Sequence, residues 1–159
     1  MEITNEIKAK LFAQYLGQNC YRVGTPDEIL LGVSTTTLSY ADGDEHKISA
    51  PHKLILKPLS SITDEDAIDV CRLEGCWSKG EVNSLLKDSK EVLVSSGKHF
   101  ILNLELDFKG VYKGSSRTSG ADAIQVYQYL QSKGYDLPNY LLGGKTLKEV
   151  GLAIYEEEK

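Results

Sequence analysis

The chain has 159 residues, of which 41% are hydrophobic and 26% are charged, and its formal net charge is −5. The length is that of one ordinary domain and the composition is that of a globular protein, which excludes disorder along the whole chain. No run approaches the ~20 apolar residues of a membrane-spanning helix. The polar, acidic start over residues 1–6 lacks the features of a signal peptide. We therefore expect a single domain over residues 1–159 that acts in the cytoplasm and binds no membrane.

The cysteines indicate neither disulfides nor a metal. Cys20, Cys71 and Cys76 are odd in number, and the chain is long enough to bury a core without covalent support. Cys71 and Cys76 are spaced more widely than a usual zinc-binding pair, and no histidine lies near them in the sequence. The sequence therefore predicts no metal and no cofactor.

The cationic residues argue against nucleic-acid binding. Only three of the 18 cationic side chains are arginines, and acidic side chains outnumber them all. Arginine makes the two-pronged contacts by which proteins hold phosphates and guanine bases. The chain is therefore not expected to bind duplex nucleic acid.

The first forty residues predict one helix followed by strands. Apolar residues at spacings of three and four predict a helix over 5–16, and Gly17 stands where a left-handed helix end belongs. β-Branched and aromatic residues then predict a short strand over 20–23. A longer strand is predicted over 30–40, where three consecutive threonines favour extended backbone.

A hairpin follows these strands. Ala41–Asp44 has the composition of a tight turn, and a returning strand is expected from about His46. Pro51 cannot donate a ladder hydrogen bond and divides this stretch. The strand resumes over 54–56, and Pro58 ends it.

Two helices are predicted next. Residues 60–75 start with capping side chains, and three carboxylates at 64–66 complement the free N–H groups of a first helical turn. A shorter helix is predicted over 80–88.

The strongest strand pattern comes after these helices. Five apolar residues alternate with polar or aliphatic neighbours over 100–108, which is typical of a strand buried on one face. Residues 91–95 precede it across the turn-like sequence Ser96–Lys98. The natural pairing is a hairpin.

The C-terminal part returns to helical signals. An apolar stripe predicts a helix over 121–133, closed by Gly134. A short helix over 147–150 and a strand over 152–154 follow. The acidic tail 156–159 is expected to be solvated and disordered.

Two segments resemble a known group of proteins. Residues 54–68 read LILKPLSSITDEDAI, and residues 129–138 read YLQSKGYDLP, followed by a short helix and strand up to residue 155. Both segments are similar to ones in small uncharacterised phage and prophage proteins of Bacteroidota. The resemblance covers about a third of the chain and carries no catalytic residue over. It implies a virus-encoded protein in a host bacterial cytosol.

The loop 113–120 has the composition of a phosphate-binding loop. It offers two cations, hydroxyl side chains and two glycines, and it leads into a helix start. Successive backbone N–H groups at such a place can hold a small anionic ligand. The alternative is a solvated connector that ends in a helix cap. The residues that would bind the anion are Lys113, Ser115, Ser116, Arg117 and Thr118.

Tyrosines are concentrated between residues 127 and 140. Exposed tyrosines often anchor protein interfaces, because they bury a large area at a small cost in side-chain entropy. We predict that Tyr129, Tyr135 and Tyr140 recognise a host protein or a second copy of the chain. The alternative is that they pack the C-terminal turn onto the core.

These patterns together predict an α+β fold: one domain with a mainly antiparallel sheet and helices packed on one face. The function expected is non-catalytic binding of a host protein or small anionic ligand, or self-association, with modulation of host defence as one such role. The alternative is a small enzyme that acts on a phosphate-bearing substrate through loop 113–120 and one of the histidines. A structural role in the virion is the third possibility.

Overall fold

The structure is a computed structural model that describes residues 2–73, 79–102, 105–106, 112–113 and 120–158. It confirms the predicted α+β class, because helices accompany a seven-stranded sheet that is mainly antiparallel. None of the helices in these ranges is long and apolar enough to cross a membrane.

The chain contains two compact units. The sheet unit comprises residues 1–58 and 131–159, and the helical unit comprises residues 59–130. The helices are α1 (Asn5–Ala13), α2 (Asp64–Leu73), α3 (Lys79–Asp88), α4 (Lys90–Leu102) and α5 (Gly120–Ser132). The strands are β1 (Asn19–Tyr21), β2 (Glu28–Val33), β3 (Thr37–Tyr40), β4 (Glu45–Lys47), β5 (Lys53–Pro58), β6 (Glu105–Leu106), β7 (Tyr112–Lys113), β8 (Tyr135–Asp136) and β9 (Ala153–Tyr155).

The sheet unit is built around β1 and β5. Strand β1 pairs antiparallel with both β2 and β5, and β3 and β4 extend the sheet from β2 as further antiparallel strands. Strand β5 also pairs in parallel with β8 and β9. The C-terminal strands are thus joined to the N-terminal sheet, and β4 forms one edge of it.

Helix α1 begins where its sequence offers a cap. The Thr4 hydroxyl oxygen accepts a hydrogen bond from the Ile7 N–H at 3.1 Å. The helix ends at Ala13, earlier than the predicted end at residue 16, and turns continue up to Gly17. Gly17 has a φ of +92°, which glycine adopts at little cost, and this reversal directs the chain into β1.

The prediction of one strand over 30–40 was wrong, because the chain reverses at Ser34. The Ser34 hydroxyl oxygen accepts hydrogen bonds from the Thr36 N–H at 3.2 Å and the Thr37 N–H at 3.0 Å. A hydroxyl that binds nearby backbone in this way offers the chain an alternative to the ladder. The result is two strands, β2 and β3, paired as a hairpin.

The core of the sheet unit lies between α1 and one face of the sheet, which we call the inner face. Leu11 and Phe12 of α1 pack with Leu30 of β2 and Leu54 of β5, and all four are fully buried. Burying one such side chain contributes about 1.5–3 kcal/mol. We call the opposite face of the sheet the outer face.

The hairpin predicted over 91–108 was wrong in its first half, because residues 90–102 form helix α4. The buried residues Leu93, Gly97 and Phe100 are spaced by four and three, which is a helical face. Gly97 is not a turn residue: it lies so close to helix α2 that a Cβ there would overlap the backbone of Ala67.

Of the strand predicted over 100–108, residues 100–102 are helical, and the extended residues that follow do not pair with 91–95. Residues 105–106 are extended as β6 and pair with β7. Residues 103–104 and 107–109 lie outside the described residues.

The C-terminal segment is organised by one buried carboxylate. Residues 147–150 form a turn and not the predicted helix. The two Asp136 carboxylate oxygens accept hydrogen bonds from the Leu147 N–H at 2.9 Å and the Lys148 N–H at 3.1 Å. The predicted final strand is confirmed as β9. The tail that follows forms a short 3-10 helix, in which Glu158 pairs with Lys148 at 2.7 Å.

Candidate functional site

The predicted anion-binding residues lie almost entirely outside the described residues. Lys113 belongs to strand β7, whose backbone alone is described. Ser115, Ser116, Arg117 and Thr118 are not described. The anion site at this loop therefore stays a prediction.

The three predicted interface tyrosines have different surroundings. Tyr135 is fully buried in the sheet unit, and its ring lies 4.4 Å from the Lys57 ammonium nitrogen, so it is a core residue that no partner can reach. Tyr129, in α5, is half-buried and donates its hydroxyl proton toward Asp66 at 3.0 Å and Asp69 at 2.9 Å. Tyr140 is 51% exposed. Of the three, Tyr140 offers most of its ring to solvent.

Burial and the two carboxylates act together on the Tyr129 hydroxyl. Burial is the largest cause that raises its pKa, and the hydrogen bonds to Asp69 and Asp66 raise it further. The hydroxyl therefore keeps its proton at neutral pH and serves to join α5 to α2.

A different exposed apolar group lies on the outer face of the sheet unit. Tyr21 of β1 is 40% exposed, and Ile29 and Leu31 of β2 are 38% and 59% exposed. In contrast, Leu30 between them is fully buried on the inner face. We call Tyr21, Ile29 and Leu31 the outer patch. Antiparallel sheets normally place polar residues on their solvated face, so the outer patch departs from the usual alternation.

Strand register brings these three side chains together. Asn19 is paired with Ile29 across β1 and β2, which places Tyr21 diagonal to Ile29 on the same face, within reach of an aromatic ring. Leu31 follows Ile29 two residues along the same strand. The pairing with β3 shifts register between Leu30 and Gly32, so Leu31 is the extra residue of a bulge.

The outer patch has a charged neighbour on the same sheet face. Lys53 of β5 is paired with Tyr21 and is partly exposed. An apolar centre beside a polar margin is the usual composition of a protein-binding surface.

The sheet unit also contains a buried polar cluster next to α1. It consists of Lys8, Cys20, Arg22, Tyr40, His46 and His52. The Tyr40 hydroxyl oxygen lies 2.8 Å from His52 Nδ1 and 3.6 Å from Cys20 Sγ. The ring centroids of His46 and His52 are 4.6 Å apart, and the Arg22 guanidinium lies 4.8 Å from the Tyr40 ring centroid. Histidine, cysteine and tyrosine together are the groups from which a catalytic site could be built.

The protonation states of the polar cluster do not suit catalysis. Burial raises the pKa of the Cys20 thiol to about 11 and lowers the pKa of the His52 imidazole to about 4. Burial also raises the pKa of the Tyr40 hydroxyl. The thiol is therefore protonated and weakly nucleophilic at neutral pH. His52 is only 3% exposed, so a substrate could not reach its ring.

The acidic turn Ala41–Asp44 forms ion pairs with Arg22. Arg22 contacts Asp42 at 2.8 Å and Asp44 at 3.5 Å, and it is almost fully buried. A hydrogen bond from the Asp44 N–H, together with Arg22, lowers the pKa of Asp42. These carboxylates neutralise Arg22. The described residues contain no group of three side chains that could hold a metal ion.

The helical unit carries an open groove of about 580 Å³ along one side of α4, from Lys90 to His99. Asp64 of α2 lines it too and pairs with Lys98 at 3.1 Å. Because both signs of charge line the groove and its most prominent ion pair is already satisfied, the groove favours no single class of ligand.

Comparison with protein-family models, with curated proteins and with solved structures gave no match to the chain. The assignment of a site therefore depends on the residues and their geometry.

Sequence reasoning missed both the outer patch and the polar cluster. Ile29 and Leu31 stand two residues apart, which was a usable signal, but the single strand predicted over 30–40 left Ile29 out of the strand. His46 and His52 lie six residues apart in the sequence, and the return of the chain after β4 brings their rings together.

Proposed function

We propose that the chain is a non-catalytic binding protein that docks another protein on the outer patch. The observation that carries the proposal is the exposure of Tyr21, Ile29 and Leu31 side by side on one sheet face. Contiguous apolar groups at a protein surface are characteristic of interaction sites.

A protein suits this surface better than a small molecule does. Small-molecule sites are concave and enclose most of the ligand. A sheet face is broad, and its side chains stand up from it, so a partner of similar breadth can cover all three residues at once. Tyrosine at such a surface contributes much contact area at a small entropy cost.

The polar cluster supports a non-catalytic reading. It is the richest group of nucleophilic and basic side chains in the described part of the sheet unit, and burial keeps its thiol and its buried imidazole uncharged. Its hydrogen bonds and ring contacts join β1, β3, β4 and the start of β5, which is a structural use.

The setting implied by the sequence resemblance belongs to the proposal. A phage-encoded protein in a bacterial cytosol would meet host proteins, including those of host defence, and Bacteroidota cells are the source in which to look for the partner. Self-association through the same patch is the second way in which the patch could be covered.

The experiment compares three forms of the full chain: wild type, Leu31→Lys and Val92→Lys. Val92 is 46% exposed on α4 in the helical unit, so Val92→Lys also replaces an exposed apolar residue by lysine but leaves the three residues of the patch unchanged. Each form is used to capture proteins from a Bacteroidota lysate, and each is examined alone by sedimentation velocity. Circular dichroism checks that all three fold.

We expect one captured protein, or a concentration-dependent dimer, with wild type and Val92→Lys. Leu31→Lys should weaken that complex about 30-fold, as loss of a central interface residue does. Equal binding by Leu31→Lys and wild type would contradict the proposal, as would the absence of both a captured protein and a dimer.

A further inference from the structure

Strand β4 and the loop that joins it to β5, residues 45–52, bring two histidines of the sheet unit together. This segment contains the edge strand β4, with His46 at its centre, and it ends at His52 before β5 begins. We call residues 45–52 the edge segment. Edge strands have ladder partners on one side only, so they open more readily than central strands.

The edge segment is held by a short ladder, by the buried side chain of Ile48 and by two further polar contacts. Strand β4 pairs with β3 over three residues, and the Ile48 N–H donates to the Thr36 carbonyl at 2.9 Å. The Lys8 ammonium of α1 donates to the Ala50 carbonyl at 2.8 Å. At the end of the segment, His52 is held by Tyr40 at 2.8 Å.

Two cationic side chains and a second histidine lie near His52. Its electrostatic neighbours are Lys8 from α1, Arg22 beyond the end of β1, and His46 from β4. Cys20 and Tyr40 also lie in the polar cluster but are uncharged at neutral pH.

The carboxylates nearest to the polar cluster do not compensate a charge on His52. Asp42 and Asp44, in the turn between β3 and β4, are both engaged with Arg22. His52 itself makes its one hydrogen bond to a described residue through Nδ1, so its second ring nitrogen has no acceptor among those residues. None of these carboxylates, nor Asp27, which acts on Cys20, is an electrostatic neighbour of His52, so a proton taken up there meets Lys8 and Arg22.

We propose that the edge segment is an acid-sensitive element: protonation of His52 releases residues 45–52 while β1, β5 and β9 remain paired. In the released state the imidazolium reaches water and moves away from Lys8 and Arg22. The proton comes from solvent, and no covalent bond changes.

The direction of the pH dependence follows from the surroundings of His52. In the closed state burial, His46, Lys8 and Arg22 lower the pKa of His52 to about 4, whereas an exposed histidine has its ordinary value of about 6.5. Between these two values the open state binds a proton that the closed state does not. Opening is therefore favoured as pH falls from about 6.5 to about 4, and it is unaffected by pH above that interval.

The experiment measures amide hydrogen exchange of the full chain by NMR from pH 7 to pH 4, expressed as protection factors. The Ile48 N–H reports on the edge segment, and the Leu54 N–H, which donates to the Leu152 carbonyl at 3.0 Å, reports on the β5–β9 ladder. Ile48 should lose protection by up to about tenfold per pH unit below pH 6.5. Leu54 should keep its protection.

Two variants assign the effect. His52→Gln keeps a side chain that can donate to or accept from the Tyr40 hydroxyl but cannot take up a proton in this range, so it should abolish the pH dependence of Ile48. His99→Gln removes a histidine of the helical unit and should leave that dependence unchanged.

Three results would overturn the proposal: constant protection of Ile48, equal loss at Ile48 and Leu54, or the wild-type pH dependence in His52→Gln. If His52→Gln does not fold, the titration of the His52 ring protons in wild type replaces it. Proton uptake by His52 should then coincide with the loss of Ile48 protection, and separate midpoints would refute the link.

Discussion

The two units of this chain have interiors of different kinds. The sheet unit buries Arg22, His52 and Asp136 among its apolar residues, and each is held by hydrogen bonds or ion pairs. In the helical unit, α2 and α4 meet at a glycine, with Leu93 and Ala67 fully buried. Polar partners thus specify the interior of the sheet unit, whereas in the helical unit the space between two backbones acts beside the contact of buried Asp66 with Tyr129.

The comparison predicts that added volume damages the helical unit most. In Gly97→Val the new side chain would overlap the Ala67 backbone, and backbone cannot give way as a flexible side chain can. We expect the free energy of unfolding to fall by about 3 kcal/mol, the upper end of the cost of overpacking. Urea denaturation followed by circular dichroism measures it.

Gly32→Ala is the matched control in the sheet unit. A Cβ at Gly32 would lie 3.7 Å from the Ser39 Cβ, an ordinary contact, so the unfolding free energy should change by less than about 1 kcal/mol. Similar losses in the two glycine variants would show that tight packing does not distinguish the helical unit.

Removal of a buried polar partner should damage the sheet unit. Asp136→Ala leaves the Leu147 and Lys148 N–H groups and the Tyr155 hydroxyl without their acceptor. We expect a loss of about 2 kcal/mol in the same urea measurement, because unpaired buried donors are costly. The loss is smaller than the sum of three bonds, since burial raises the pKa of Asp136 and the charge itself is disfavoured there.

Tyr155→Phe is the control for Asp136. It removes only the hydroxyl that lies 3.2 Å from the carboxylate and leaves both backbone hydrogen bonds, so the expected loss is below about 1 kcal/mol. An Asp136→Ala variant as stable as Tyr155→Phe would mean that the buried carboxylate does not organise the C-terminal segment.

Apart from the two control variants, the smallest effect is expected at the polar contact of the helical unit. Tyr129→Phe removes the hydroxyl shared by Asp66 and Asp69 but keeps the ring. The unfolding free energy should fall by about 1 kcal/mol in urea denaturation. A loss as large as that of Gly97→Val would refute the distinction between the two interiors.

The local signals of the sequence located most helices. Helix α1 lies inside the predicted range 5–16, although it ends at Ala13 and not next to Gly17, and α2, α3 and α5 lie within a few residues of their predicted positions. These features depend on the sequence within one or two helical turns. The mainly antiparallel α+β class followed from them and from the short strands.

The features that sequence reasoning missed depend on contacts between distant residues. In the sequence Gly97 is typical of a turn, and its actual role depends on Ala67, thirty residues earlier, which lies beside it in the fold. The outer patch could be predicted only with the reversal at Ser34, and the three threonines that follow Ser34 favoured a continuous strand instead. The contact between His46 and His52 depends on the return of the chain after the edge strand, and no periodicity in the sequence predicts that return.

The bulge at Leu31 separates two properties that most strand residues combine: exposure at the surface and a place in the strand register. Because Leu31 is the additional residue of the strand, the register on either side of it is the same whether it is present or absent. Exchange of this position is therefore expected to do little harm to folding. A randomised library at Leu31 should yield folded variants, and through them the docking surface that we propose can be varied independently of stability.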